Sequence, residues 1–236
     1  MDFDAPEEHA LLRDSVRQFF ARELPETQIR EYDQARKIPR EIWKRFAEQG
    51  WLGLSIGTEH GGSNADVLTG AVLGEELSRQ FPSLAMDWVL LSMTARTFRE
   101  HGTEAQKAEY LPRLAQGEFI MAFGMTEPSG GTDILGLTTR ASHDDDCWTV
   151  NGQKLFTTFA GDADAILVLC RTDPIENEKR ARGLSLVLTP RQQSGVEVRR
   201  LQLMGMRAGG TSEVFFDDAI APGDALVGER GRGWYT

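Results

Sequence analysis

The chain has 236 residues, enough to bury a substantial core in one or two domains. Its formal net charge of −10 argues against a nucleic-acid surface, which needs clustered Lys and Arg. No apolar run approaches the ~20 residues that cross a bilayer, and 40% apolar with 26% charged residues fits an ordinary soluble globular protein.

The N-terminus, Met1-Asp-Phe-Asp-Ala-Pro-Glu-Glu, is acidic, unlike a secretory signal or a transit peptide. Cys147 and Cys170 make neither a metal-ligand spacing nor a disulfide framework, so a reducing cytoplasm is the expected location. Residues 1 to about 117 read as helical. Leu11, Leu12, Val16, Phe19 and Phe20 recur at helical spacing behind Pro6-Glu7-Glu8. Pro39 to Gly50 makes a short amphipathic helix with Pro39 at its first turn. Asn64 to Gln80 and Ser83 to His101 make two longer apolar helices. Thr103 to Leu114 makes another, with Thr103 and Gln106 spaced as a capping box. Gly57 to Ser63 is a Gly-rich loop, but no strand precedes it, so it is not a nucleotide loop.

After Gly117 the period changes to two. Strands are expected at Ile120–Met125, Leu137–Ala141, Trp148–Val150, Lys154–Thr158, Ala165–Arg171, Leu184–Thr189, Val196–Gln202 and Ser212–Phe216. The spacing of turn residues suggests an antiparallel sandwich or barrel. Asn151-Gly152 reads as a hairpin turn. Asp144-Asp145-Asp146 reads as an exposed tip, and Asp173 to Arg182 as a solvated loop. The first strand opens into Thr126-Glu-Pro-Ser-Gly-Gly-Thr-Asp133. Pro128 ends ladder pairing, while Gly130 and Gly131 permit positive φ, so backbone N–H groups can approach a ligand. Phe156, Thr157 and Thr158 offer a ring and two hydroxyls on one later strand.

Together Thr126–Asp133, Asn151-Gly-Gln-Lys-Leu-Phe-Thr-Thr-Phe159 and Met204-Gly-Met-Arg-Ala-Gly-Gly-Thr-Ser-Glu-Val-Phe-Phe-Asp-Asp218 resemble the acyl-CoA dehydrogenase family of flavoproteins. The resemblance covers nearly the whole chain. It implies an α+β chain: an N-terminal helical domain over residues 1–118, then an antiparallel β-sandwich or barrel over 119–230 that cradles FAD. Residues 231–236 would open a C-terminal helical bundle that is missing, and with it the catalytic carboxylate, so no catalytic residue is expected in this chain.

The resemblance also implies roles for single residues. Phe123, Gly124, Met125 and Thr126 would line the flavin's pyrimidine edge. Phe156, with Thr157 beside it, would pack near the ring, and Thr158 would hydrogen-bond near N5. Thr132 would touch both cofactor and substrate. The family's usual Trp, Asn and Ser are here Phe156, Phe159 and Thr132. Without the motif, Phe123 and Met125 would read as sheet core, and Thr157 and Thr158 as strand formers. Glu127 is expected to accept local backbone hydrogen bonds rather than act as a base. Arg207 reads either as a phosphate ligand or as a structural partner of Glu213 or Asp217. His60, His101 and His143 read as solvated residues.

The implied activity is α,β-oxidation of an acyl-CoA or related acyl thioester, with hydride passing to flavin N5. Electron-transfer flavoprotein is the implied acceptor, and a homo-oligomer the implied assembly. The chain by itself is expected to be inactive. Alternatives are a flavin monooxygenase or an acyl-carrier-protein dehydrogenase on the same fold, or a non-catalytic truncated or partner subunit. The reading frame beyond codon 236 separates the last from the others.

Overall fold

The computed structural model describes residues 6–144, 146–175 and 179–236. Six helices come first: α1 (Glu7–Glu23), α2 (Glu26–Ala35), α3 (Arg40–Glu48), α4 (Val67–Gln80), α5 (Pro82–His101) and α6 (Glu104–Ala115). Their starts follow local chemistry. Pro6, Pro25 and Pro39 precede α1, α2 and α3, and acidic Glu7 and Glu8 sit in the first turn of α1, where the helix dipole favours them. Asp66 caps α4 by accepting from Thr69 N at 2.8 Å. Thr103 and Gln106 form the expected capping box on α6. Gln106 also donates to Asp224 O at 2.6 Å and Leu226 O at 2.9 Å, so this cap ties the helices to the strands.

The strands are β1 (Met121–Gly124), β2 (Arg140–Asp144), β3 (Cys147–Thr157), β4 (Ala165–Arg171), β5 (Leu184–Pro190), β6 (Val196–Arg200), β7 (Ser212–Pro222) and β8 (Leu226–Val227). They form one sheet in the order β6-β7-β3-β2-β4-β5-β8, with β1 added beside β4. Pairing is mostly antiparallel, but β4 runs parallel to β1 and, through one residue pair, to β2. β4 is buried along its whole length, which is why Ala-Ile-Leu-Val-Leu-Cys is an unbroken apolar run.

Two expectations are corrected. Asn151-Gly152 is not a hairpin turn, because β3 runs straight through it. The ladder with β7 shifts register between Val150 and Gly152, and the Asn151 side chain exchanges two hydrogen bonds with Asp218, at 2.9 and 2.8 Å. Gly152 takes φ 143°, and a Cβ there would lie 2.6 Å from Thr139 Oγ1, so the glycine permits close strand approach at a bulge. The hairpin instead joins β2 to β3, with Asp144 ending β2 and Asp146 in the turn; Asp145 lies outside the described residues. β2 begins at Arg140 rather than Leu137, because a 3₁₀ turn at Ile134–Gly136 occupies the chain just before. Of the loop expected at Asp173 to Arg182, residues 176–178 lie outside the described residues.

One apolar core joins helices and strands. Phe19, Phe46 and Trp51 stack edge to face at 4.9–5.4 Å, and Trp43 reaches Phe159 at 5.3 Å between ring centres. At the rim of that contact, Arg40 grips Asp164 and donates to Glu118 O at 2.7 Å.

Candidate functional site

The loop after β1 is built around a buried charge pair. Glu127 Oε2 accepts from Thr138 N at 2.7 Å and Thr138 Oγ1 at 2.8 Å. Its Oε1 accepts from Thr139 N at 2.8 Å and Lys154 Nζ at 2.9 Å. Lys154 Nζ donates also to Met125 O at 3.0 Å. Glu127 is 4% exposed and Lys154 not at all. Burial pushes the Glu127 carboxyl up, but the Lys154 ammonium and the donors around it outweigh burial and hold its pKa at about 2. Burial lowers the Lys154 pKa, and Glu127 opposes that. Glu127 accepts backbone hydrogen bonds, but not the local ones expected beside Pro128. Its donors lie eleven and twelve positions along the chain, and a buried lysine joins them.

The glycines act differently from the expectation. Neither Gly130 nor Gly131 takes a positive φ. Glu127 and Gly130 pair through Gly130 N to Glu127 O at 3.1 Å, so Pro128-Ser129 makes the turn and the glycines leave its flank open. Leu155 N donates to Thr126 O at 2.8 Å, which joins this loop to β3.

A second register shift, between Lys154 and Thr157, distorts the end of β3. Phe156 sits at φ 58° and Phe159 at φ 70°, a conformation that bulky side chains rarely adopt. The distortion sorts the side chains. Phe156 turns outward and is 59% exposed, while Phe159 turns inward onto Trp43. Thr157 is buried, its Oγ1 without a hydrogen-bond partner among the described residues, and Thr158 Oγ1 meets Thr211 Oγ1 at 3.2 Å.

The third motif forms a 3₁₀ turn at Arg207–Gly209, between positive φ at Met206 and Gly210. Arg207 pairs with Asp33 of α2, through N at 3.1 Å and Nε at 2.8 Å, not with Glu213 or Asp217. The signal for that long-range pair is absent from the local sequence. Helix α5 lies alongside and shows Met86, Val89 and Met93 to solvent, one apolar stripe at helical spacing.

Two of the cavities along α5 carry residues of the motifs. One of about 390 Å³ is lined by Phe156, Thr158, Met86, Asp87, Met204 and Met206. The other, about 280 Å³, is lined by Phe123, Met125, Met93, Thr94, Thr97 and Trp234. Phe156 and Thr158 thus meet in one cavity and Phe123 and Met125 in the other, with α5 as their common wall. Gly124, Thr126, Thr132 and Thr157 line neither. Gly124 lies under Lys154, whose Cγ would be 3.3 Å from an added Cβ. Thr126 is half-buried with its methyl beside Gly131, and Thr132 is exposed.

Asp87 was not singled out from sequence. It has no exposed surface, and neither carboxylate oxygen has a partner among the described residues. Burial raises its pKa well above the usual range, Asp162 adds to the effect, and Arg200 opposes it. The only signal was one acid inside Leu84-Ala-Met-Asp-Trp-Val-Leu-Leu91.

The arrangement suits a flat aromatic ligand. An exposed ring held in strained backbone, a hydroxyl beside it, and a loop fixed from within by a charge pair give stacking and hydrogen bonding on one rigid frame. The N-terminal domain of acyl-CoA dehydrogenase matches residues 6–118, and the middle domain of the same family residues 122–219. The chain belongs to the acyl-CoA dehydrogenase family.

Among similar family proteins, the mitochondrial long-chain specific acyl-CoA dehydrogenase of Mus musculus is 35% identical over 97% of this chain and 53% of its own. The crystal structure of an acyl-CoA dehydrogenase from Geobacillus kaustophilus superposes with a TM-score of 0.92 at 36% identity, over 100% of this chain and 62% of that one. A glutaryl-CoA dehydrogenase from Mycobacterium smegmatis in complex with FADH2 gives 0.86 at 26% identity, over 96% and 57%. The chain thus spans between half and two thirds of the length of these acyl-CoA dehydrogenases.

Proposed function

We propose that this chain forms the flavin-cradling part of an FAD-dependent acyl-CoA dehydrogenase. Residues 1–118 serve as the helical domain and 119–230 as the flavin domain. The observation that carries the reading is the strained end of β3, which turns Phe156 outward beside Thr158 on the cavity walled by α5. FADH2 in the Mycobacterium smegmatis neighbour supports the choice of cofactor.

Bound FAD supplies a two-electron acceptor for the hydride that leaves the β-carbon of an acyl thioester. Phe123, Gly124, Met125 and Thr126 would hold the pyrimidine edge of the flavin, Phe156 would pack against the ring, and Thr158 would donate a hydrogen bond near N5. Thr157, buried with a spare hydroxyl, would stand beside Phe156 on the cofactor side. Thr132 is exposed on the loop, and in this reading it would touch both cofactor and substrate. The apolar stripe of Met86, Val89 and Met93 excludes water from the acyl chain. Glu127 takes no part as a base, since its charge is committed to Lys154. Electrons leave to electron-transfer flavoprotein, and the whole protein is a homo-oligomer. Free Cys147 and Cys170 suit a reducing cytoplasm. Among the described residues no helix is long and apolar enough to cross a membrane.

The test is purification of the full-length gene product, with anaerobic addition of acyl-CoA thioesters of graded length. It purifies yellow and its flavin bleaches with one of them. Thr158→Ala shifts the flavin spectrum or potential by the equivalent of about 1 kcal/mol, the worth of one hydrogen bond. A colourless protein that cannot be reconstituted with FAD overturns the proposal. Turnover that requires O₂ and inserts oxygen makes it a monooxygenase instead.

A further inference from the structure

Lys154 is the buried cation of the site, and both its acceptors lie on the Met125–Glu127 segment. A trans peptide points its C=O and N–H in opposite directions, and the chain has no cis peptide bond among the described residues. The Met125 carbonyl is drawn inward by Lys154 at 3.0 Å, so the Thr126 N–H of the same peptide points away from Lys154. That N–H makes no hydrogen bond among the described residues. The next carbonyl, of Thr126, is also committed, accepting from Leu155 N at 2.8 Å. Glu127 fixes the other side by holding Thr138 and Thr139 at the entry to β2. The segment is therefore gripped from within at three points, and the Thr126 N–H points away from that grip.

A buried ion pair adds little stability over apolar groups of the same shape. What it adds here is direction. We propose that the Lys154–Glu127 pair is the positioning element of the cofactor loop, turning the Met125–Thr126 peptide so that Thr126 presents its N–H and hydroxyl to the carbonyl edge of the flavin. The inference rests on the flavin reading given under Proposed function. Neither Lys154 nor Glu127 touches the ring. They act through Thr126.

The test uses the full-length protein and the double variant Lys154→Met with Glu127→Gln, which removes both charges together and leaves neither one buried alone. Three quantities are read: thermal midpoint, amide hydrogen exchange of the segment around Thr126 without cofactor, and FAD affinity with the visible flavin spectrum. The expected result is a folded protein with faster exchange at the loop, FAD affinity lower by about tenfold, equal to about 1.4 kcal/mol, and a displaced flavin spectrum.

If the double variant aggregates, Lys154→Gln with Glu127→Gln replaces it. This pair keeps neutral polar groups but is too short to hold Met125 O, and the same readings are expected. A purely structural role lowers the thermal midpoint and leaves affinity and spectrum unchanged, and that outcome overturns the inference. A wild-type protein that takes up no FAD overturns the flavin reading itself, and this inference with it. That failure shows in the wild type before any variant is made.

Discussion

Asp87 shows how one residue sets a pH dependence. Its folded pKa is raised, chiefly by burial, above the unfolded value of about 3.9. A carboxyl that holds its proton more tightly when folded costs nothing at low pH, where both states are protonated. As pH rises through the unfolded pKa, the unfolded chain ionises first, and stability falls until the folded pKa is passed. Asp87→Ala removes an unpartnered buried acid from a helix interior, where Ala is the best former. The variant is expected to be more stable than wild type at pH 7 by about 2 kcal/mol, with the difference closing toward pH 4. Urea unfolding across that range measures it. A variant less stable at every pH would mean that Asp87 has a partner.

At the scale of an element, the end of β3 trades backbone comfort for an outward ring. Phe156 at φ 58° lies in a region that costs L-residues about 1–2 kcal/mol, and its ring regains little by packing because it is mostly exposed. Phe156→Gly is therefore expected to raise stability without cofactor by about 1 kcal/mol while weakening FAD binding in the full-length protein. Chemical denaturation and flavin titration read the two effects. A variant that loses stability would show the ring to be part of the core. The same strand explains why the Asn-Gly signal misled. Asn-Gly favours positive φ, and Gly152 has it, but the bulge opposite β7 uses that freedom rather than a hairpin.

For the whole molecule, the question is whether residues 1–236 carry a base. Glu127 is held at a pKa of about 2 by Lys154 and its hydrogen-bond donors, too acidic to take an α-proton effectively. Asp87 lines the cavity of Phe156 and Thr158, but none of its surface is exposed. A positioned base contributes about 10²–10⁴-fold, and residues 1–236 alone are expected to fall short by that factor in reducing FAD with any acyl-CoA. Stopped-flow bleaching with the isolated 1–236 chain tests this. Rapid bleaching would make Asp87 the first residue to replace, ahead of Glu127. The apolar stripe on α5 also predicts that this chain self-associates, a property that sedimentation measures directly.

Much of this was legible in sequence, because local rules were enough for it. Helical spacing and capping residues placed α1 and α3 to α6, and β4 declared itself by an unbroken apolar run. Three motifs in order pointed to the family. The division between helices and strands near Gly117 followed from a change of period.

What needed the tertiary structure was everything set by residues far apart in the chain. Nothing local to Lys154 encodes its burial, which arises only where β1, β2 and β3 converge and set it against Glu127, 27 positions away. Arg207 meets Asp33 across 174 positions, and no local pattern encodes that. Asp87 is covered by the turn at Arg207–Gly209, far along the chain, where an added Cβ on Gly209 would lie 3.0 Å from Oδ1. Burial is a property of the assembled layers, and charge becomes consequential only once burial has removed the water around it.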